Sequence, residues 1–215
     1  MSDETPSTPD MLETVVAAAP APAKKVNLPE TPVFGKYSSA NIQISDVGLA
    51  KYVNLEAIGP MHHSARHGNK RFAKQKVHVV ERLINDVMRS ETYQGKKSKA
   101  YSAVELAFAK VAEKSKENPL QTLVTAITNA APREEVTRLR YGGINVPKSV
   151  DVAPMRRLDV AIRHLAQGAT EASYKSTKHI SQCLAEEILK AAKNDPQSFA
   201  VAKKDEVERV AKSAR

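Results

Sequence analysis

Apolar residues in the middle of the chain recur at helical spacing. Val80, Leu83, Ile84, Val87 and Met88 stand at i, i+3, i+4, i+7 and i+8, one face of a helix beginning near Val77. Tyr93–Gln94–Gly95 ends that unit. Tyr101, Val104, Phe108 and Val111 mark a second helix, begun and capped near Ser98. Asn118–Pro119 starts a third, because Asn accepts free backbone N–H bonds and Pro suits the first helical position. Leu120, Leu123, Val124 and Ile127 form its buried face, and Pro132 ends it. After Pro154, Met155, Leu158, Ile162 and Leu165 define a fourth helix. Thr177 caps a fifth, with Ile180, Leu184, Ile188 and Ala191 inside. Lys203–Lys204 opens the last, with Val207, Val210 and Ala211 apolar.

Between the third and fourth helices the period changes. Residues 134–152 are rich in Val, Thr, Tyr and Ile and centre on Gly142–Gly143, the pair that supplies positive φ in a tight hairpin turn. Pro147 confines its strand to an edge. A lone two-stranded ribbon is marginally stable, so the arm packs on the helices or is ordered by a partner. The expected fold is therefore mainly α: a six-helix domain with a protruding two-stranded β-hairpin arm.

The N-terminal third lacks such periods. Residues 1–32, with PSTP and AAAPAPA, read as a disordered acidic tail, with MLETVVAAA at most transiently helical. Residues 33–60 read as ordered but irregular. Asp46 caps a short helix there that turns Val47, Ala50 and either Tyr52 or Val53 to the core. Residues 61–76 form a basic extended segment or loop. The expected division is a tail at 1–32, a basic extension at 33–76, and a helical domain at 77–215 that carries the arm at 134–152.

Composition refines this picture. With 5% aromatic residues and no Trp, aliphatic and Ala packing must fill the core. Cys183, the single cysteine, cannot form an internal disulfide, which fits a reducing compartment. It sits on an apolar helix face and reads as core. No apolar run approaches the roughly 18 residues of a membrane span, and the start lacks the pattern of a signal peptide. The reading is a cytosolic or nuclear protein with no membrane role.

The net charge of +9 points to a polyanionic partner. Its distribution says more. Residues 1–32 hold two Lys against five acids, so the rest of the chain carries +12. Residues 61–100 hold ten Lys or Arg against three acids, and residues 133–163 hold seven against four. The stretch between them is balanced. Two basic clusters flanking a neutral helix suggest one binding face assembled from two places.

The candidate contacts follow from these clusters. Lys70, Arg71, Lys74 and Lys76 put cations on a pliable backbone, where they can neutralise phosphates. Phe72 among them either stacks on a base or, the favoured reading, anchors the segment to the core. Lys96, Lys97 and Lys99 crowd a helix start, against the helix dipole unless an anion is bound. Arg138 and Arg140 share one face of the hairpin, and Arg156, Arg157 and Arg163 follow on the next helix. The plain alternative for the arginines is surface ion pairing with Glu134, Glu135, Asp151 and Asp159.

Other chemistry is thin. His63 and His67 stand four apart, but no further ligand is near and Gly68 opposes a helix, so no metal is expected. Glu186–Glu187 reads as a solvated pair. No phosphate-binding glycine loop, nucleophile elbow or other catalytic constellation occurs, so neither enzymatic activity nor a cofactor is expected.

Four segments carry a resemblance: GKKSKAYSAVELA (95–107), NPLQTLVTAITNAAPREEVTR (118–138), VDVAPMRRLDVAIRHL (150–165) and KKDEVERVAKSAR (203–215). In order, they resemble small-subunit ribosomal protein family seven, the bacterial S-seven and eukaryotic S-five type. The likeness covers about residues 33–215. FGK near Phe34, PMHHSARHGNKRFAK and the VAKSAR ending give it a eukaryotic look. The resemblance implies six helices with a hairpin between the third and fourth, and binding to the 3′ major domain of small-subunit rRNA to nucleate the subunit head. It also implies an arm and C-terminal helix near the mRNA exit path and exit-site tRNA. Lys70, Arg71, Lys74, Lys76, Lys96, Lys97, Lys99, Arg156, Arg157 and Arg163 would then face rRNA. Arg138, Arg140, Tyr141, Gly142 and Gly143 would be arm residues near mRNA and tRNA, and Arg215 would lie near tRNA. Neighbouring head proteins would be further partners. Localisation would be the cytoplasmic ribosome, with nucleolar passage during assembly. A free-standing DNA- or tRNA-binding helical regulator is the competing reading, since charge alone does not separate the two.

Overall fold

The computed structural model describes residues 32–56 and 62–215. The tail at 1–31, its transient helix included, lies outside the described residues. Seven α-helices and one antiparallel hairpin follow in the order α1 (Val47–Ala50), α2 (Val79–Val87), α3 (Lys97–Ser115), α4 (Pro119–Ala130), β1 (Glu134–Tyr141), β2 (Ile144–Asp151), α5 (Pro154–Ser173), α6 (Ile180–Ala192) and α7 (Phe199–Ser213). Six are the expected helices; the single-turn α1 is the short helix expected at Asp46.

The helical faces account for the core. In α2, Val80, Leu83, Ile84 and Val87 are fully buried. In α3 half of the inward positions are alanines, Ala100, Ala103 and Ala107, beside Val104, Phe108 and Val111. Small residues let neighbouring helices approach closely. α6 packs against α3, α4 and α5, and its Leu184, Ala185, Ile188 and Ala191 enter the same apolar cluster. Asn118 caps α4 as its sequence required, with Oδ1 accepting from Leu120 N at 3.1 Å.

Several boundaries differ from expectation, each for a local reason. α3 starts at Lys97, so Ser98 lies inside the first turn and no side chain caps the helix. His179, not Thr177, caps α6, its ring accepting from Ser181 N at 3.2 Å. α7 opens at Phe199 with Ser198 as its cap, a full turn before Lys203. Its buried residues are Ala200, Val201 and Ala211, while Val210 is exposed. In α1, Asp46 does cap the turn (Oδ1 to Gly48 N, 2.8 Å), but Leu49 and Val53 enter the core and Val47 and Ala50 face outward.

Glu187 is not solvated. It is buried at the start of α7, where it accepts from Ser198 Oγ at 2.7 Å and Ala200 N at 3.0 Å. A carboxylate there satisfies free N–H groups and complements the helix dipole. Gly168 of α5 makes room: a Cβ at that position would lie 2.7 Å from Phe199 Cβ and 3.2 Å from Glu187 Oε1.

The hairpin pairs Tyr141 with Ile144 across Gly142 and Gly143, whose φ values of 53° and 88° lie in the left-handed region that favours glycine. The C-terminus braces its base. Ser149 N donates to Ala214 O, Arg133 N donates to Glu208 at 2.9 Å, and Arg215 pairs with Glu134. No helix among the described residues is long and apolar enough to cross a membrane.

Candidate nucleic-acid interface

Residues 62–76 form two 3-10 turns, Arg66–Asn69 and Ala73–Lys76, joined by bends. The segment is held at both ends. His63 N donates to Glu81 of α2 at 2.9 Å, and the His63 ring also pairs with that carboxylate. At the far end, Asn54 Nδ2 donates to Lys76 O at 2.6 Å.

Glu81 is the hub of this region. Its side chain is 2% exposed, and Lys97 at the start of α3 adds a third partner at 2.6 Å. Burial pushes the carboxyl pKa up, but the hydrogen bonds from Lys97 and His63 outweigh burial and hold it below the ordinary value. One buried carboxylate thus joins the basic segment, α2 and the Gly95–Lys99 helix start. Beside it, His78 caps α2 through Val80 N at 3.2 Å, and burial lowers its pKa to about 4, so it is neutral at pH 7.

The two basic stretches meet between α2, α5 and the 3-10 turns. His67, Lys74, Arg82, Arg89 and Arg163 line a cleft of about 220 Å³ together with Asp86 and Asp159. Asp159 pairs with both Lys74 and Arg82. Arg82 is 8% exposed, and its Nη1 has no hydrogen-bond partner. Burial raises the Asp86 pKa against the pull of Arg89, Arg163 and Arg82. Lys74, Arg82, Arg89 and Arg163 set four cations in the lining against the two acids, Asp86 and Asp159. Residues of the two basic stretches thus line one cleft.

The candidate cations fall into two groups. Lys70, Arg71, Lys76, Lys96, Lys99, Arg138, Arg140 and Arg163 are exposed with no salt-bridge partner among the described residues, although Lys99 lies 5.9 Å from the Tyr93 ring centroid. Others are engaged within the fold. Lys97 holds Glu81 and Lys74 holds Asp159. Arg156 forks onto Glu135 at 2.6 and 2.7 Å, which pulls that carboxyl pKa down. Arg157 is 11% exposed, pairs with Asp46 at 2.7 Å and donates to Pro132 O at 3.2 Å. The surface ion-pairing alternative therefore describes Arg156, on Glu135; Arg157 pairs instead with Asp46, an acid it did not name. Arg215 sits at the arm base, on Glu134.

In the arm, Arg138 and Arg140 lie on one face opposite Pro147 and Asn145, and Tyr141 and Ile144 are exposed at its tip on the other. Two cleft cations, Arg82 and Arg89, escaped the sequence reading, and one residue departs from its favoured reading. Phe72 is exposed instead of anchoring the segment to the core. No group of three or more potential metal ligands occurs among the described residues.

This basic helical scaffold with an arginine-faced arm has relatives of known kind. The sequence pattern of the family described as Ribosomal protein S7p/S5e matches residues 54–215. The chain belongs to that family. It is 57% identical over 183 residues to the small ribosomal subunit protein uS7 of Archaeoglobus fulgidus, covering 85% of this chain and 94% of that protein. The uS7 of Picrophilus torridus is 54% identical over 85% of this chain and 98% of its own length. That of Methanothermobacter thermautotrophicus is 48% identical, with the same two shares. The family is structural and non-enzymatic. These relatives are archaeal, so the nucleolar passage that the eukaryotic look implied finds no support in them.

Proposed function

We propose that this protein is a structural constituent of the small ribosomal subunit that binds the 3′ major domain of small-subunit rRNA and helps assemble the subunit head. The observation that carries the reading is the division of the cations within a chain of this family. One set is consumed in internal ion pairs. The other, on the 62–76 segment, the α3 start, the cleft rim and the arm, remains free to meet phosphates. The helix start supports it further. The first turn of α3 has two unpaired lysines, Lys96 and Lys99, at or beside it, no acid of its own and no side-chain cap. Anions satisfy both the free N–H groups and the lysines.

The arm supplies a second contact region. Its arginine face suits the backbone of mRNA or exit-site tRNA, and its base is braced by α7 and Arg215. Neighbouring head proteins complete the set of partners. The division at 32/33 and 76/77 into tail, basic extension and helical domain belongs to the same proposal. So does the place of action, the cytoplasmic ribosome.

The test is binding of the full chain to a transcript of the 3′ major domain, with Lys96→Glu and Lys99→Glu together. Lys97 is left alone because it supports Glu81. The double variant should weaken binding and make the salt slope shallower by about two, roughly one per lost phosphate contact. Unchanged affinity and slope would remove the helix start from the interface. Specific duplex DNA binding without association with small subunits would favour the free-standing regulator instead.

A further inference from the structure

We propose that Phe72 is a stacking platform for an unpaired base of the bound RNA, an inference that rests on the RNA-binding reading above. Three of the four phenylalanines have apolar duties. Phe108 is buried, Phe34 packs edge-on against Tyr101 and Phe108 at 5.0 and 5.5 Å, and half-buried Phe199 lies against α5 at His164. Phe72 alone among them is exposed, at 67%. The core therefore does not explain it.

The backbone around the ring is a tight turn. Phe72 has φ 58°, a left-handed conformation uncommon for a bulky side chain, and it shares it with Ser64 and Ala65 of the same segment. The turn that follows is fastened at three successive residues. Lys74 pairs with Asp159, Gln75 Nε2 donates to Met155 Sδ at 3.5 Å, and Lys76 O accepts from Asn54. An exposed aromatic on a fastened turn gives up little freedom when a planar partner lands on it.

The surroundings select the partner. Residues 62–76 contain Arg66, Lys70, Arg71, Lys74 and Lys76, and no Asp or Glu. Lys70 and Arg71, immediately before the ring, are exposed. An exposed aromatic beside unpaired Lys70 and Arg71, on a segment whose Lys74 already answers Asp159, matches a polyanion carrying π-systems, more than a protein surface. Bases inside an A-form duplex already stack on one another, so the ring takes a base from a loop, bulge or single strand.

The experiment measures binding of the full chain to the 3′ major domain transcript over a range of salt, with Phe72→Ala, Phe72→Leu and Phe72→Trp. The stack predicts that Phe72→Ala and Phe72→Leu weaken binding roughly 5- to 100-fold, the range for losing one base–aromatic stack. Phe72→Trp stays near wild type, and the salt slope is unchanged because no phosphate contact is lost. Ultraviolet crosslinking of the wild-type complex should yield a nucleotide attached at Phe72. Wild-type affinity for Phe72→Ala, or full rescue by Phe72→Leu, overturns the stack while leaving RNA binding standing. Unchanged RNA affinity with impaired incorporation into subunits would assign the ring to a protein neighbour and also overturns it. Failure of the wild-type chain to bind the transcript removes the underlying reading as well.

Discussion

Replacing Glu81 by Gln removes one charge and keeps the shape, so it isolates the hub of the basic region. The carboxylate accepts from Lys97 Nζ, the His63 ring and His63 N, with its side chain 2% exposed. Glutamine keeps one accepting oxygen and turns a donor toward groups that already donate. Removing one partner of a buried pair typically costs about 3–5 kcal/mol. Lys97 is 20% exposed and regains some water, which puts the expected loss near the lower end, about 3 kcal/mol. For a chain of this size that corresponds to a melting temperature lower by about 6–12 °C. The assay is denaturant unfolding at several pH values. Because the folded pKa of Glu81 lies below its ordinary 4.5, its contribution is fully present above that value and is lost as pH falls through the folded pKa. The gap between wild type and variant should therefore be full at neutral pH and close at acid pH. A gap below about 0.5 kcal/mol at pH 7, the level of an ordinary surface change, or one independent of pH, would refute the hub.

Other perturbations separate structural from binding roles. Arg157→Met should cost about 2 kcal/mol of stability, less than a fully buried pair because Asp46 keeps its Gly48 bond, and should leave the salt slope of RNA binding unchanged; a slope change with intact stability would return Arg157 to the interface. His78→Asn preserves a capping side chain but removes a group whose pKa falls from 6.5 to about 4 on folding. Between those values the unfolded chain binds more protons, so wild type should lose about 3 kcal/mol from pH 7 to 4 through this group. The variant should show an acid limb flatter by that amount, and equal limbs would contradict it. Gly168→Ala gains about 1 kcal/mol of helix propensity but must push Phe199 Cβ away from 2.7 Å. Overpacking of about 1–3 kcal/mol should leave it net destabilised, and a more stable variant would show that α5 and α7 separate easily.

The long helices and the arm were legible because their signals are local. The apolar period of α2 and α3, Asn-Pro before α4 and Gly-Gly between β1 and β2 act within a few residues. What was hidden depends on distant partners. Arg157 and Asp46 are 111 positions apart, and no pattern on α5 marks one arginine as paired and Arg163 as free. Glu187 reads as a solvated acid until the α7 start lands on it, and the same contact explains why that helix opens before its lysines. Phe72 reads as core by its chemistry but is exposed, on a turn whose next residues reach Asp159, Met155 and Asn54 far along the chain.

The most direct test of rRNA binding is the structure of an assembled small subunit containing this chain. The account predicts rRNA phosphates within hydrogen-bonding distance of Lys70, Arg71, Lys96, Lys99 and Arg163, with Lys97 still on Glu81 and Arg157 still on Asp46. Those exposed cations facing solvent while Lys97 and Arg157 leave their carboxylates for phosphates would contradict it.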